Sequence, residues 1–112
     1  MEEATVAAPS LHCFCINLDE RPDKWAEVQA AFRDTGIIPE RFPGVKHSVG
    51  WKGCGAAHVG VAAEAARRGL PWVLVIEDDC LPVADFVARW SAIKEELWAS
   101  RAEWDIFLGG PT

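Results

Sequence analysis

Pro71-Trp72-Val73-Leu74-Val75-Ile76-Glu77-Asp78-Asp79-Cys80 is the stretch that decides the fold: a β-branched, apolar run that stops abruptly at three acids. Such a run, short and bounded, predicts a strand covered on both faces. A second run of the same kind, Leu11-His12-Cys13-Phe14-Cys15-Ile16-Asn17-Leu18, lies upstream and ends in Asp19-Glu20-Arg21-Pro22-Asp23. There Pro22 can open a helix at its first position, and Asp23 favours the positive end of that helix. Trp25, Val28 and Phe32 follow at spacings of three and four and share a helix face, with Gly36 placed to cap it. Residues 37–45, broken by Pro39 and Pro43, predict an edge strand or an ordered loop.

Between these segments, His47 to Gly55 holds three glycines around Trp51 and Lys52 and reads as a loop. A helix is predicted over about Ala56 to Arg68, with Val59, Ala62, Ala63 and Ala66 as its packed stripe and Gly69 as its cap. Beyond the acids, Pro82 opens a third helix carrying Phe86, Trp90, Ile93 and Leu97 on one face, and Trp104 to Leu108 predicts a further strand. Strands alternating with helices imply an α/β fold with a mostly parallel sheet and helices on both faces. Ligands then bind at the carboxyl ends of strands.

Composition narrows the function classes. The 112 residues carry 11 Lys+Arg against 17 Asp+Glu, a net charge of -6, with 50% apolar residues. That balance describes one soluble globular domain over residues 11–112 behind a flexible leader, residues 1–10. The negative field argues against nucleic acid as partner, since Arg67-Arg68 is the densest basic step. No apolar run approaches the ~20 residues of a membrane span. The acidic start Met1-Glu2-Glu3 lacks the basic region of a secretory signal, so a cytoplasmic, reduced chain is expected. Cys13 and Cys15 share one strand face and, with one residue between them, fit buried core thiols better than a zinc knuckle.

Glu77, Asp78 and Asp79 repel one another unless a cation joins them. One reading is a hard divalent ion, Mg²⁺ or Mn²⁺, taking one or two of these carboxylates; the other is an acidic helix start ahead of Pro82. In an extended segment Glu77 and Asp79 would point one way and Asp78 the other.

The segment Leu74 to Asp79 resembles the strand and acidic motif of glycosyltransferase family 25, the lipooligosaccharide and collagen galactosyltransferase group. Three further segments agree in order and spacing: Cys15 to Trp25 resembles the family's opening strand and turn, Gly53-Cys54-Gly55-Ala56-Ala57-His58 its Gly-Cys-x-x-Ser-His motif, and Trp104 to Gly109 its later Trp-Asp strand. The resemblance runs from about Phe14 to Gly110. It implies a GT-A fold, a nucleotide-sugar donor such as a UDP-hexose, a saccharide or glycoprotein acceptor, a divalent Mn²⁺ or Mg²⁺ ion, and transfer of a hexose, galactose first among them, with inversion. Carried over by position, Asp79 and Glu77 would hold the metal. Asn17, Leu18, Arg21, His58, Glu77 and Asp78 would line the donor, and Asp105 is the candidate general base, since it is the late carboxylate on a predicted strand.

Two departures stand out: Ala57 replaces the family's serine, and relatives continue past the position of Thr112 into an acceptor half. The expectation is therefore a truncated, GT-A-like half domain. It leaves open a fragment, a non-catalytic donor-binding or protein-interaction module, or an enzyme whose acceptor site is completed by a second chain.

Overall fold

The computed structural model describes residues 8–107. Three strands, β1 (His12–Asn17), β2 (Glu40–Pro43) and β3 (Val73–Glu77), form one parallel sheet in the order β2-β1-β3. Phe14 lies level with Glu40 on one side and with Val75 on the other. The connecting helices are α1 (Pro22–Ala31), α2 (Gly50–Arg68) and α3 (Phe86–Ala99), with a short 3-10 turn at Arg101–Glu103.

Strand periodicity divides the core in two. Cys13, Cys15 and Ile76 pack with Val28 and Phe32 on the α1 side, joined by Trp25, Leu74 and Phe86 at the start of α3. Phe14 and Ile16 pack with Ala57 and Val61 on the α2 side, where Phe42, Val73 and Val75 join them. The expected α/β class, parallel sheet and two covered faces are all present. Cys13 and Cys15 do share a face, and burial pushes both thiols up to about 12.

Four details differ from the sequence reading. Residues 50–55 are helical: α2 starts at Gly50, and Gly53 lies so close to the segment before it that a Cβ there would stand 2.2 Å from the Val45 carbonyl oxygen. The glycines that suggested a loop instead let the helix approach the backbone. The packed face of α2 is accordingly Gly53, Ala57, Val61 and Ala65, spaced four apart, while Val59, at 70% exposure, points to solvent. The α1 helix ends at Ala31 rather than running to Gly36. Asp34 takes a left-handed turn first, at φ 64°, and Thr35 bonds back to the Phe32 carbonyl.

The α3 end differs most. Pro82 lies within a loop and the helix begins at Phe86. Trp104 to Phe107 is not a strand, because the Trp104 indole folds back and donates to the Leu97 carbonyl at 2.9 Å, and Ile106 and Phe107 are left exposed. Leu108 lies outside the described residues, as do residues 1–7 of the predicted leader. Pro9, by contrast, is tied down: its carbonyl accepts the Trp72 indole N–H at 3.1 Å. Among the described residues no helix is long and apolar enough to cross a membrane.

Candidate functional site at the carboxyl edge of the sheet

The chain runs from β1 outward to β2 through α1, then returns across β1 to β3 through α2 on the opposite face. This reversal between β1 and β3 is the switch point at which open parallel sheets form a crevice beyond their strand ends. A cleft of about 240 Å³ lies there. From β1 and the turn after it come Ile16, Leu18 and Arg21; from the end of β3 and the turn after it come Glu77 and Asp78; Gly50, Gly53 and Cys54 bring the first turns of α2.

Asn17 organises this edge. It is 2% exposed, yet its amide is fully engaged: Nδ2 donates to Asp78 Oδ2 at 2.8 Å and to the Arg21 carbonyl at 3.0 Å, and Oδ1 accepts from Arg41 Nε at 2.8 Å. A second Arg41 nitrogen donates to the Asn17 carbonyl, and Arg41 also pairs with Asp19. One side chain thus ties the start of α1, Arg41 of β2 and the acidic turn after β3 to the end of β1. Buried polar groups are tolerated only when bonded in this way.

The predicted site residues fall into three sets. Leu18, Arg21, Glu77 and Asp78 line the cleft, whereas Asn17 lies beneath it as a support. The Arg21 guanidinium makes a two-pronged pair with Asp23, both contacts at 3.0 Å, which holds the Asp23 carboxyl down at about 2. Asp79 is exposed and is not among the lining residues. A turn begins directly after Glu77, with Cys80 N–H bonding the Glu77 carbonyl, so the strand alternation expected to align Glu77 with Asp79 stops one residue early. Asp105 is exposed in the segment after the 3-10 turn, off any strand among the described residues.

Sequence reasoning passed over Arg41 and Cys54 as site residues. Arg41 gave no local signal, since its partner lies 24 positions away. Cys54 did carry one: with His58 it stands at i, i+4 on a helix, hence on one face. The Cys54 thiol donates to Glu77 Oε1 at 3.0 Å, a bond that raises its pKa by stabilising the protonated form. His58, exposed rather than packed, joins them, so that ligand atoms of Cys54, His58 and Glu77 all lie within 4.8 Å of one another. Ala57, where the family motif has serine, is buried against Phe14 and Ile16.

Similarity to characterised sequences agrees with the motifs. The chain is 32% identical over 93 residues to the human protein named inactive glycosyltransferase 25 family member 3, a match covering 78% of this chain. It is also 38% identical over 58 residues, 51% of this chain, to a bovine protein named probable inactive glycosyltransferase 25 family member 3. The chain is affiliated with glycosyltransferase family 25. It spans a small part of these relatives, 16% of the human protein and 10% of the bovine one. No family model matches the chain, and no solved structure does.

Proposed function

We propose that this family 25 chain binds the nucleotide part of a nucleotide-sugar donor in the cleft beyond β1 and β3, as part of a GT-A-type donor site. The observation that carries the reading is the composition of the cleft: two carboxylates, Glu77 and Asp78, face the N-terminal turns of α2 across a crevice at the switch point. A helix N-terminus offers N–H groups and a positive dipole end to a phosphate, and glycines at 50 and 53 let the backbone come close. At about 240 Å³ the cleft is smaller than the roughly 300–1,000 Å³ of whole small-molecule sites, so it suits a portion of the donor.

The acids fit a hard divalent ion in the way Mg²⁺ and Mn²⁺ require, one or two carboxylates with the remaining positions left to water and phosphate. Glu77 and Asp78 would hold it, with Asp79 in the exposed turn as a further ligand. Such an ion neutralises a diphosphate leaving group. The chain's own residues do the rest: Asn17 fixes the acidic turn, Leu18 and Arg21 border the nucleotide, and Arg21 exchanges Asp23 for a phosphate oxygen.

Whether donor binding leads to transfer separates two readings. In the first, a hexose such as galactose passes with inversion from a UDP-sugar to a saccharide or protein acceptor. The second is a donor-binding module without transfer. It is favoured by the word inactive in both relatives' names and by the exposed, non-strand position of Asp105, the candidate base. The test is thermal unfolding with UDP and Mn²⁺ against UDP and chelator, followed by sugar-transfer assays over a panel of nucleotide sugars. Donor binding predicts stabilisation of about 2.7 kcal/mol at a hundredfold excess over the dissociation constant, present only with metal. Binding without turnover supports the module, turnover supports the enzyme, and equal melting temperatures overturn the donor site.

A further inference from the structure

We infer that Cys54, His58 and Glu77 form a binding site for a zinc-class transition-metal ion, distinct in chemistry from the all-oxygen site a magnesium or manganese ion uses. Among the described residues this is the one group of three potential ligands whose atoms converge. Glu77 is shared with the oxygen site proposed above, so the two ions would compete for it, but the cluster itself is read without reference to a nucleotide-sugar.

Three observations carry it. First, the donor set is a thiol, an imidazole and a carboxylate, the combination that zinc accepts, and a thiolate selects against magnesium and manganese. Second, two independent elements fix the three groups. The i, i+4 spacing puts Cys54 and His58 on one face of α2, and the end of β3 brings Glu77 to them, with the Cys54–Glu77 bond at 3.0 Å showing the two already in contact. Third, the spacing suits an ion. Tetrahedral zinc with bonds near 2.3 Å to sulfur and 2.0–2.1 Å to nitrogen or oxygen sets its ligands roughly 3.3–3.6 Å apart. Atoms that already lie within 4.8 Å of one another reach that geometry by side-chain rotation, since His58 and Glu77 are exposed and Cys54 is half-buried.

Binding replaces the thiol proton with the metal: the Cys54 Sγ–H bond breaks, the proton leaves to solvent, and Glu77 turns from accepting that proton to sharing the ion. Three protein ligands leave a fourth position for water or a solute. Two of the ligands, Cys54 and Glu77, also line the cleft, so an ion here sits at its border.

The experiment is titration of the reduced 112-residue chain with Co²⁺ alone, without nucleotide, followed by displacement with Zn²⁺. The expected result is one equivalent of Co²⁺ giving intense tetrahedral ligand-field bands and a near-ultraviolet thiolate-to-cobalt band, both erased by Zn²⁺ and unaffected by excess Mg²⁺. Cys54→Ser should remove the charge-transfer band, and His58→Asn and Glu77→Gln should each weaken binding by about tenfold or more, since even an outer-shell partner is worth that much. Cys80→Ser, which alters an exposed cysteine outside the cluster, should leave the spectrum intact. Circular dichroism checks that each variant is folded; His58 and Glu77 are exposed, and Cys54→Ser at the half-buried position keeps the shape of the side chain. A weak octahedral spectrum in the wild type, or an unchanged charge-transfer band in Cys54→Ser, overturns the site. Failure of UDP binding with a normal cobalt spectrum would count against the donor reading alone.

Discussion

Replacing Gly53 and Gly55 by alanine, one at a time, separates two accounts of residues 47–55. Both glycines lie in the first turns of α2, where alanine is favoured over glycine by up to about 1 kcal/mol. Their surroundings differ. Nothing lies within 4 Å of a Cβ added at Gly55, so Gly55→Ala should gain most of that preference, raising the melting temperature by about 4–6 °C in a domain of this size. A Cβ at Gly53 would lie 2.2 Å from the Val45 carbonyl oxygen, where real Cβ atoms essentially never come within 3.0 Å. That obstacle is backbone, so no rotamer relieves it, and α2 must move off the segment that carries Val45. Overpacking of this kind costs about 1–3 kcal/mol, and with a rigid obstacle the upper end applies. Less the helix preference, Gly53→Ala should lose about 2 kcal/mol. Urea unfolding monitored by circular dichroism measures both variants in one experiment. If residues 47–55 were an open loop, neither change would matter by more than a few tenths. A Gly53→Ala protein as stable as Gly55→Ala would refute the close approach of α2, and with it the placement of Cys54 beside Glu77.

Two further outcomes follow from the polar contacts. Asn17→Ala removes the shared partner of Asp78 and Arg41 and leaves both with unmet bonds at a buried position, so it should cost about 2–4 kcal/mol in urea unfolding, more than a surface substitution such as Lys24→Ala. Glu40 is held down at about 2 by two hydrogen bonds from Arg68 and one from His12. A carboxyl whose pKa is depressed on folding contributes stability above its unfolded value, and loses it as pH falls toward the folded one. Thermal stability should therefore decline between about pH 5 and pH 2, and Arg68→Gln should flatten that decline, the modest size reflecting partial exposure of the pair. An equally steep decline in Arg68→Gln would place the acid sensitivity elsewhere.

β1 and β3 were legible in the sequence because strand signals are local, whereas β2 was left open between strand and loop. Apolar runs of five or six residues that end in Asn17 and in Glu77 are short for a helix and carry the β-branched and aromatic residues of covered strands. The position of the acids at a strand's carboxyl end was legible for the same reason. What sequence could not provide was the meaning of a glycine. Gly50, Gly53 and Gly55 carry the same letter in a loop and in a helix pressed against a neighbouring backbone, and only the location of Val45 decides between them. That single ambiguity moved the start of α2 by six residues and turned its packed stripe from Val59 and Ala63 to Ala57 and Val61. The same shift carries Cys54 from a loop onto the helix, one turn before His58. Periodicity then supplies what composition could not, a thiol and an imidazole on one face aimed at the strand end where Glu77 waits. The start of α2 and the place of Cys54 were thus misread at the same point, for one reason: close backbone approach is a tertiary fact, written in the sequence only as the absence of a side chain.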